Sequence, residues 1–220
     1  MPNHTFMSIV GIDEAGRGPV IGPMVMAGVR ISDEKQILNL GLKDSKLLSR
    51  KQREALYKVV QNSVDAYSIH ILSPSEIDAS LLSDTSNLNW LEADCSVKIL
   101  GELRPKVAII DSPSINVEKY SRYIQEALAF DISLIVEHKA DFNYPVVSAA
   151  SILAKVTRDW KIDAIKKEIG IDFGSGYPSD PLTKRFVQEH YKDFPDIFRR
   201  TWSPYRMVLE GSQRKIDDFE

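Results

Sequence analysis

The chain has 220 residues, 43% of them apolar, and is long enough to bury one substantial hydrophobic core. Cys95 is the only cysteine, which excludes a disulfide framework within the chain and a metal site built from several thiolates. The net charge of −3 excludes a protein that coats nucleic acid through bulk positive charge alone. The N-terminus lacks a secretory signal pattern, and no apolar run reaches the roughly 18 residues of a membrane span. We therefore expect a cytoplasmic protein without membrane segments, and a monomer.

The first third of the chain predicts the antiparallel start of a sheet. Residues 7–13 are apolar and β-branched and lead into acids and glycines, which indicates a buried strand followed by a tight turn. Residues 20–31 and 66–72 predict the second and third strands. Between them, Ser49 is placed to cap a helix that reaches about residue 60.

The rest of the chain alternates between helix and strand patterns. Such alternation indicates parallel crossovers, so we predict an α/β fold with a mixed five-stranded sheet flanked by helices. Glycine, proline and serine then mark residues 170–181 as a loop, with short helical segments beyond it. The predicted helices cover 88–103, 117–129, 146–169, 182–191 and 205–209, and the two further strands cover 106–111 and 132–137.

Four acids follow predicted strands. Asp13 ends the first strand and Asp111 ends the fourth, so both side chains emerge at one carboxyl edge if these strands are parallel neighbours. Glu14 follows Asp13 directly, and Asp141 lies in a short connection before the long helix. Close carboxylates raise one another's pKa, and magnesium or manganese ions, which accept oxygen ligands, would relieve this repulsion. The alternative is that each acid is simply solvated or caps the next helix.

A glycine-rich turn follows the first pair of acids. Gly16, Gly18 and Gly22 lie beside Pro19 and Pro23, so the backbone turns tightly with few side chains to keep a ligand away. Backbone amides there can contact a phosphate or a ribose. Taken alone, the pattern is also that of an ordinary turn, and it does not match a nucleotide-binding Walker loop.

Several motifs together resemble one family. Residues 11–19, Gly-Ile-Asp-Glu-Ala-Gly-Arg-Gly-Pro, resemble the signature of the ribonuclease HII family, in its archaeal form. Asp44-Ser45-Lys46 resembles the next block of that family. Further blocks follow in the order of the family at 110–111, 138–141, 147–156 and 174–178.

The resemblance implies an enzyme with a ribonuclease H-like fold. Its catalytic and metal-binding acids would be Asp13, Glu14, Asp111 and Asp141, with Mg²⁺ or Mn²⁺ as the cofactor and two ions present during catalysis. The implied reaction is hydrolysis, by metal-activated water, of RNA paired with DNA and of the bond 5′ to a ribonucleotide embedded in duplex DNA. It leaves 3′-hydroxyl and 5′-phosphate ends. The implied roles are ribonucleotide excision and RNA primer removal.

The resemblance also implies which residues read the substrate. Gly16, Arg17 and Gly18 would contact the ribose 2′-hydroxyl, the group that distinguishes RNA from DNA. Tyr177 would stack on the sugar of the following deoxynucleotide.

The same resemblance implies that Lys46 and Lys155 neutralise phosphates of the substrate.

It also implies how the chain is divided. The implied organisation is a catalytic domain over residues 1–170, a helical C-terminal extension over 171–212 packed on it, and a flexible tail over 213–220.

The tail itself resembles a second known motif. Gln213, Ile216 and Phe219 are spaced like the peptide by which replication and repair enzymes bind the sliding clamp. Glu220 departs from the motif, because it occupies the second aromatic position. The alternative is a disordered polar tail.

Two other functions compete with the nuclease. An actin-like phosphotransferase also has a Gly-Ile-Asp-x-Gly segment after a strand, but it needs a second lobe for which this chain is too short. A non-catalytic binder of hybrid duplexes would not benefit from four mutually repulsive acids.

Overall fold

Five short, largely apolar segments form one mixed sheet. The computed structural model describes residues 8–42 and 48–217, and only the backbone for 211–217. The strands lie in the order β3-β2-β1-β4-β5, which confirms the predicted five-stranded mixed sheet. Their bounds are β1 Ile9–Ala15, β2 Met24–Ile31, β3 Ala66–Leu72, β4 Val107–Asp111 and β5 Ser133–Glu137.

The pairing of the strands fixes which residues lie at the carboxyl edge. β1 is antiparallel to β2 and parallel to β4, with Ile12 opposite Ile110. β4 is parallel to β5, and Asp111 lies opposite Glu137. Because β1 and β4 run in the same direction, Asp13 and Asp111 lie at the same end of two neighbouring strands.

The helices lie between and after these strands along the chain. Several begin at side-chain caps: Ser49 and Ser73 each form a capping box, and Asp180 accepts a hydrogen bond from the Leu182 amide. The described helices are α1 Lys35–Leu38, α2 Arg50–Ser63, α3 Pro74–Leu82, α4 Leu88–Leu103, α5 Val117–Ala127, α6 Ala140–Asn143, α7 Pro145–Ile169, α8 Pro181–His190 and α9 Ser203–Asp217. A 3₁₀ turn covers Pro195–Ile197. No helix in the described part of the chain is long and apolar enough to cross a membrane.

The chain divides into two compact units. The first contains the residues up to Ala15 together with Val25–Ile71 and Asn89–Thr157, and the second contains Gly16–Met24, Leu72–Leu88 and the chain from Arg158 onward. In the first unit, the early part of α7 is buried against the sheet, with Val147, Ala150 and Leu153 fully inaccessible to solvent. In the second, Phe173, Phe186 and Phe198 centre a separate aromatic core.

The structure differs from the sequence prediction at several boundaries. β2 begins at Met24 and not at residue 20, because Gly22 adopts a φ of +84° and Pro23 follows it. Helices α1, α3 and α6 were not predicted, and α7 begins at Pro145. The helix expected over 205–209 extends from Ser203 to Asp217, so it includes residues 213–217, which the prediction assigned to a flexible tail.

Candidate active site

Asp13 lies near the end of β1 and is almost fully buried, with 5% of its surface exposed. Its Oδ1 accepts a hydrogen bond of 2.8 Å from the Glu14 amide. Burial raises the pKa of the Asp13 carboxyl well above its usual range, the negative charge of Glu14 raises it further, and that of Asp111 adds to the effect. The structure therefore brings these three acids within electrostatic reach of one another, as the sequence predicted.

Asp111 and Asp141 are linked through the start of α6. Asp111 ends β4, and its Oδ1 accepts a hydrogen bond of 3.1 Å from the Ala140 amide. Asp141 is the next residue, in the first turn of α6, with 5% of its surface exposed. The Ser148 hydroxyl donates to the backbone carbonyl of Asp141, which holds this turn against α7.

A lysine and a serine from α7 stabilise the ionised form of Asp13. The Lys155 Nζ donates to the Ser151 Oγ over 2.7 Å. The Ser151 hydroxyl in turn donates to Asp13, and both this hydrogen bond and the positive charge of Lys155 lower the pKa of Asp13. Ser151 and Lys155 are four residues apart on the helix and therefore share a face. Ser151 was missed by the sequence prediction, although its spacing from Lys155 was visible.

The donor set of this acid cluster, Asp13, Glu14, Asp111 and Asp141, is suited to a hard divalent cation. All four side chains offer carboxylate oxygens, and the raised pKa of Asp13 identifies negative charge that a cation would stabilise. Within residues 8–42 and 48–217, no three His, Cys, Asp or Glu side chains form a ready-made metal cage. Magnesium needs no such cage, since it commonly takes one or two carboxylates and keeps several waters.

The glycine turn that follows the acids belongs to the second compact unit. Gly16 has a φ of +83°, a conformation that favours glycine. A Cβ atom at Gly16 would lie 2.5 Å from both Cδ and Nε of Arg158, so the turn is packed directly on this buried arginine. Arg158 therefore supports the turn, and it was not among the residues that the sequence predicted for the site.

Tyr177 lies beside the same turn. A Cβ atom at Gly18 would be 3.7 Å from Cε1 of Tyr177, and 37% of the tyrosine surface is exposed. The Arg158 guanidinium lies 5.1 Å from the centre of the Tyr177 ring, and its Nη2 donates to the Ser175 carbonyl over 3.1 Å. Burial lowers the pKa of Arg158. The structure thus brings Gly16, Gly18 and Tyr177 close to Arg158, a residue that the sequence did not predict for the site.

The loop that carries Tyr177 is anchored by backbone hydrogen bonds. The Gly176 carbonyl accepts from the amides of Val20 and Ile21, over 2.9 and 3.3 Å. The buried Thr183 hydroxyl accepts from the Gly176 amide and donates to the Phe173 carbonyl. Tyr177 is therefore exposed on a well-supported loop.

Four predicted binding residues cannot be placed by their side chains. Lys46 and Phe219 lie outside the described residues. Gln213 and Ile216 fall within α9, of which only the backbone is described from residue 211.

Comparison with known proteins identifies the family. The sequence profile of the family described as ribonuclease HII matches residues 10–204. Ribonuclease HII of Pyrococcus furiosus is 46% identical over 226 residues, which cover 97% of this chain and 98% of that protein. Ribonuclease HII of Pyrococcus abyssi is 44% identical, with 97% of each chain covered.

Solved structures agree with the sequence matches. The ribonuclease H2 of Pyrococcus horikoshii superposes with a TM-score of 0.85 at 44% identity, covering 93% of this chain and 98% of that one. A ribonuclease HII of Archaeoglobus fulgidus, solved in complex with PCNA, gives a TM-score of 0.82 at 40% identity, covering 90% and 96%. These matches do not favour a phosphotransferase or a non-catalytic binder. The chain belongs to the ribonuclease HII family and is an endoribonuclease that degrades the RNA of RNA/DNA hybrids.

Proposed function

We propose that the acid cluster is the catalytic centre of this ribonuclease. The observation that carries the proposal is the burial of Asp13 beside Glu14 and Asp111, which raises its pKa well above the usual range. Perturbed carboxylates at the carboxyl edge of a sheet are typical of functional sites, because a fold gains no stability from holding like charges together. The family membership gives this cluster its reaction, the hydrolysis of a phosphodiester in RNA.

Divalent metal completes the proposed centre. Enzymes of this family depend on divalent metal, and we propose Mg²⁺ or Mn²⁺, with two ions held by Asp13, Glu14, Asp111 and Asp141. Bound ions of this kind supply a water of lowered pKa and stabilise the leaving oxygen of the phosphodiester.

The protein's own part in catalysis is to orient the acids. The Ser151 hydroxyl donates to the Asp13 carboxylate and is itself hydrogen-bonded by Lys155, whose charge also acts on Asp13. The Glu14 amide donates to Asp13 Oδ1. The Ala140 amide fixes Asp111 next to the turn that carries Asp141. Supporting groups of this kind matter because metal ligands held by a second layer of hydrogen bonds bind in a defined geometry.

We further propose that the cut is made 5′ to a ribonucleotide, in hybrids and in duplex DNA that contains a single ribonucleotide, leaving 3′-hydroxyl and 5′-phosphate ends. The turn at Gly16, Arg17 and Gly18 would contact the 2′-hydroxyl, and Tyr177 would stack on the neighbouring sugar. The Tyr177 ring lies beside Gly18, 3.7 Å from where a Cβ atom would stand, and this closeness supports a shared task. In the chain, only Ala15 separates this turn from Glu14.

Two lysines are proposed to contact phosphates. Lys155 already balances Asp13, and its remaining donor capacity would serve a phosphate near the acids. For Lys46, the proposal rests on the family block Asp44-Ser45-Lys46 alone. We also propose that the protein is a cytoplasmic monomer and acts in ribonucleotide excision and primer removal.

A sliding clamp is the proposed protein partner. The ribonuclease HII of Archaeoglobus fulgidus was solved with PCNA, which supports the assignment of Gln213, Ile216 and Phe219 as a clamp-binding peptide. Replacement of Phe219 by Ala should abolish capture by the cognate clamp and leave cleavage of a free hybrid unchanged. Equal capture of both proteins would reject this assignment.

Replacement of Asp13 by Asn tests the proposed centre. Cleavage of an RNA/DNA hybrid in the presence of Mg²⁺ or Mn²⁺ should be lost, because a neutral amide cannot replace the carboxylate as a cation ligand. The matched control is Asp131→Asn, which changes an exposed acid and should leave the rate unchanged. Full activity of a folded Asp13→Asn protein would show that the centre lies elsewhere.

A further inference from the structure

Arg199 is the largest fully buried side chain among the described residues. Its guanidinium donates to three backbone carbonyls of one segment: Nη2 to Gly16 over 2.5 Å, Nη1 to Arg17 over 2.8 Å and Nε to Gly22 over 3.0 Å. A charge is costly to bury, and Arg199 is 0% exposed. Its guanidinium hydrogen bonds offset that cost, and all three hold the backbone of the glycine turn.

Trp202 extends the same arrangement. Its Nε1 donates to the Gly18 carbonyl over 3.2 Å, and its ring centre lies 4.9 Å from the Arg199 guanidinium carbon. The Arg199 amide also donates to the Val20 carbonyl over 2.9 Å. The carbonyls of Gly16, Arg17 and Gly18 therefore all point toward residues 199 to 202.

The direction of these carbonyls fixes the direction of the amides. In a planar trans peptide the C=O and N–H bonds point in opposite directions, and the described chain has no cis peptide bond. The Gly16 carbonyl shares its peptide group with the Arg17 amide, and the Arg17 carbonyl shares one with the Gly18 amide. Both N–H groups consequently point away from the guanidinium. Pro19 offers no N–H, so the peptide group that Trp202 holds contributes no donor.

Arg199 also affects the strength of these two donors. A hydrogen bond from a charged guanidinium is stronger than one between neutral groups. Hydrogen bonds in series polarise one another, especially in a buried site of low dielectric. Accepting a bond from Arg199 therefore makes each peptide group a better donor through its N–H.

We infer that Arg199 is a positioning residue for ribose recognition: it aims the Arg17 and Gly18 amides outward and strengthens them as donors to the 2′-hydroxyl. The inference rests on the proposed function of the turn. It deepens that proposal by naming the two donors and the side chain that prepares them. Trp202 assists by holding the last carbonyl of the turn.

The test compares a substrate that has one 2′-hydroxyl with one that has none. We would measure kcat and KM on a DNA duplex with a single ribonucleotide, and the inhibition constant of the same duplex made entirely of DNA. Arg199→Lys keeps the charge, but a lysine ammonium cannot reproduce the three hydrogen bonds of the planar guanidinium. We expect kcat/KM to fall roughly 10- to 100-fold, as when groups that orient a direct ligand are lost. The inhibition constant of the all-DNA duplex should change less than about twofold, since that duplex has no 2′-hydroxyl for these amides to bind.

Arg200→Lys is the matched control. Arg200 is the neighbouring arginine, and its side chain is exposed. Its Nε donates to the Pro195 carbonyl over 3.4 Å and its Nη2 lies 3.8 Å from Asp196 Oδ1, so its side chain does not hold the glycine turn. In this control, kcat/KM and the inhibition constant of the all-DNA duplex should match those of the wild type. If the role of Arg199 is purely structural, Arg199→Lys should lower the melting temperature and weaken kcat/KM and the inhibition constant of the all-DNA duplex by the same factor. That result would overturn the inference.

Trp202→Phe provides a second, milder variant in case Arg199→Lys does not fold. It removes one donor to the turn and keeps an aromatic ring beside Arg199. We expect kcat/KM to fall roughly 3- to 10-fold, the effect of one hydrogen bond, at an unchanged melting temperature and DNA inhibition constant. Unchanged kcat/KM in this variant contradicts the inference by itself. If the wild type binds both duplexes equally, the proposed function of the turn fails as well.

Discussion

At the scale of single residues, the acids proposed for catalysis are held together at a cost in stability. Asp13 is buried beside Glu14 and Asp111, whose negative charges raise its pKa, while Ser151 and Lys155 of α7 lower it. Burial of a carboxylate without a cation disfavours its ionised form, so the metal-free protein carries an energetic cost at neutral pH.

We therefore predict that Asp13→Asn stabilises the metal-free protein. Asparagine has nearly the same shape, and its Oδ1 can still accept the hydrogen bond from the Glu14 amide, but it carries no charge. A gain of about 1 kcal/mol would raise the melting temperature of a chain of this size by about 2–4 °C. Thermal unfolding in the presence of a chelator measures this shift, and a lower melting temperature would contradict the account of Asp13.

The pKa of Glu102 is shifted in the opposite direction to that of Asp13. Its pKa is lowered, chiefly by the hydrogen bond that the Ser68 hydroxyl donates over 2.5 Å and also by His70. Because its folded-state pKa is lowered, ionised Glu102 stabilises the fold above its usual pKa of 4.5. This stabilisation is lost as the pH falls through the folded-state pKa.

Ser68→Ala tests this dependence. The variant should be less stable than the wild type at about pH 7, and the difference in unfolding free energy should shrink as the pH falls through the lowered folded-state pKa of Glu102. Urea unfolding over a series of falling pH values measures this difference. Glu102→Gln should show the same loss of pH dependence, and a difference that stays constant with pH would count against the interaction.

At the scale of elements, close contact between β1 and α7 is set by a glycine. A Cβ atom at Gly11 would lie 2.5 Å from the backbone carbon of Val146 and the backbone nitrogen of Val147. Backbone atoms cannot move aside as a side chain can, so the strand and the start of the helix approach only because residue 11 has no side chain.

Gly11→Ala should therefore destabilise the fold strongly. Overpacking of this kind typically costs about 1–3 kcal/mol, and more where backbone must shift. Gly101→Ala is the matched control, because Gly101 lies in α4 with nothing within 4 Å of a Cβ atom, and alanine should stabilise the helix by roughly 0.5–1 kcal/mol. Denaturant titration of both variants distinguishes them, and equal effects would refute the packing argument.

The elements also show what sequence patterns can predict. The strands and long helices were found because their periodicity is local, whereas the prediction for β2 extended too far, across Gly22 and Pro23. The missed helix α3 had a visible signal, since Ser73 and Glu76 form a capping box with Pro74 at the first helical position.

The supporting residues of the candidate site were less predictable. Arg199 and Arg200 are adjacent and identical in sequence, yet one is fully buried and the other is exposed. Only the tertiary path of the chain decides which one holds the glycine turn. Arg158, which packs against Gly16, was not predicted for the same reason.

At the scale of the whole molecule, the residues proposed for chemistry and those proposed for sugar recognition belong to different compact units. The acid cluster lies in the first unit, and the glycine turn, Tyr177 and Arg199 lie in the second. Asp13 and Asp111 could be placed together from sequence because parallel neighbours share a carboxyl edge. The two proposed tasks can therefore be tested by separate substitutions.

The most direct test of the central claim is a cleavage map on an end-labelled DNA duplex that contains one ribonucleotide, with Mg²⁺ or Mn²⁺. We predict a single cut on the 5′ side of the ribonucleotide, a 3′-hydroxyl and a 5′-phosphate at the new ends, and no cut in the Asp13→Asn protein. A cut on the 3′ side, cuts scattered through the DNA, or cleavage that survives Asp13→Asn would contradict the account.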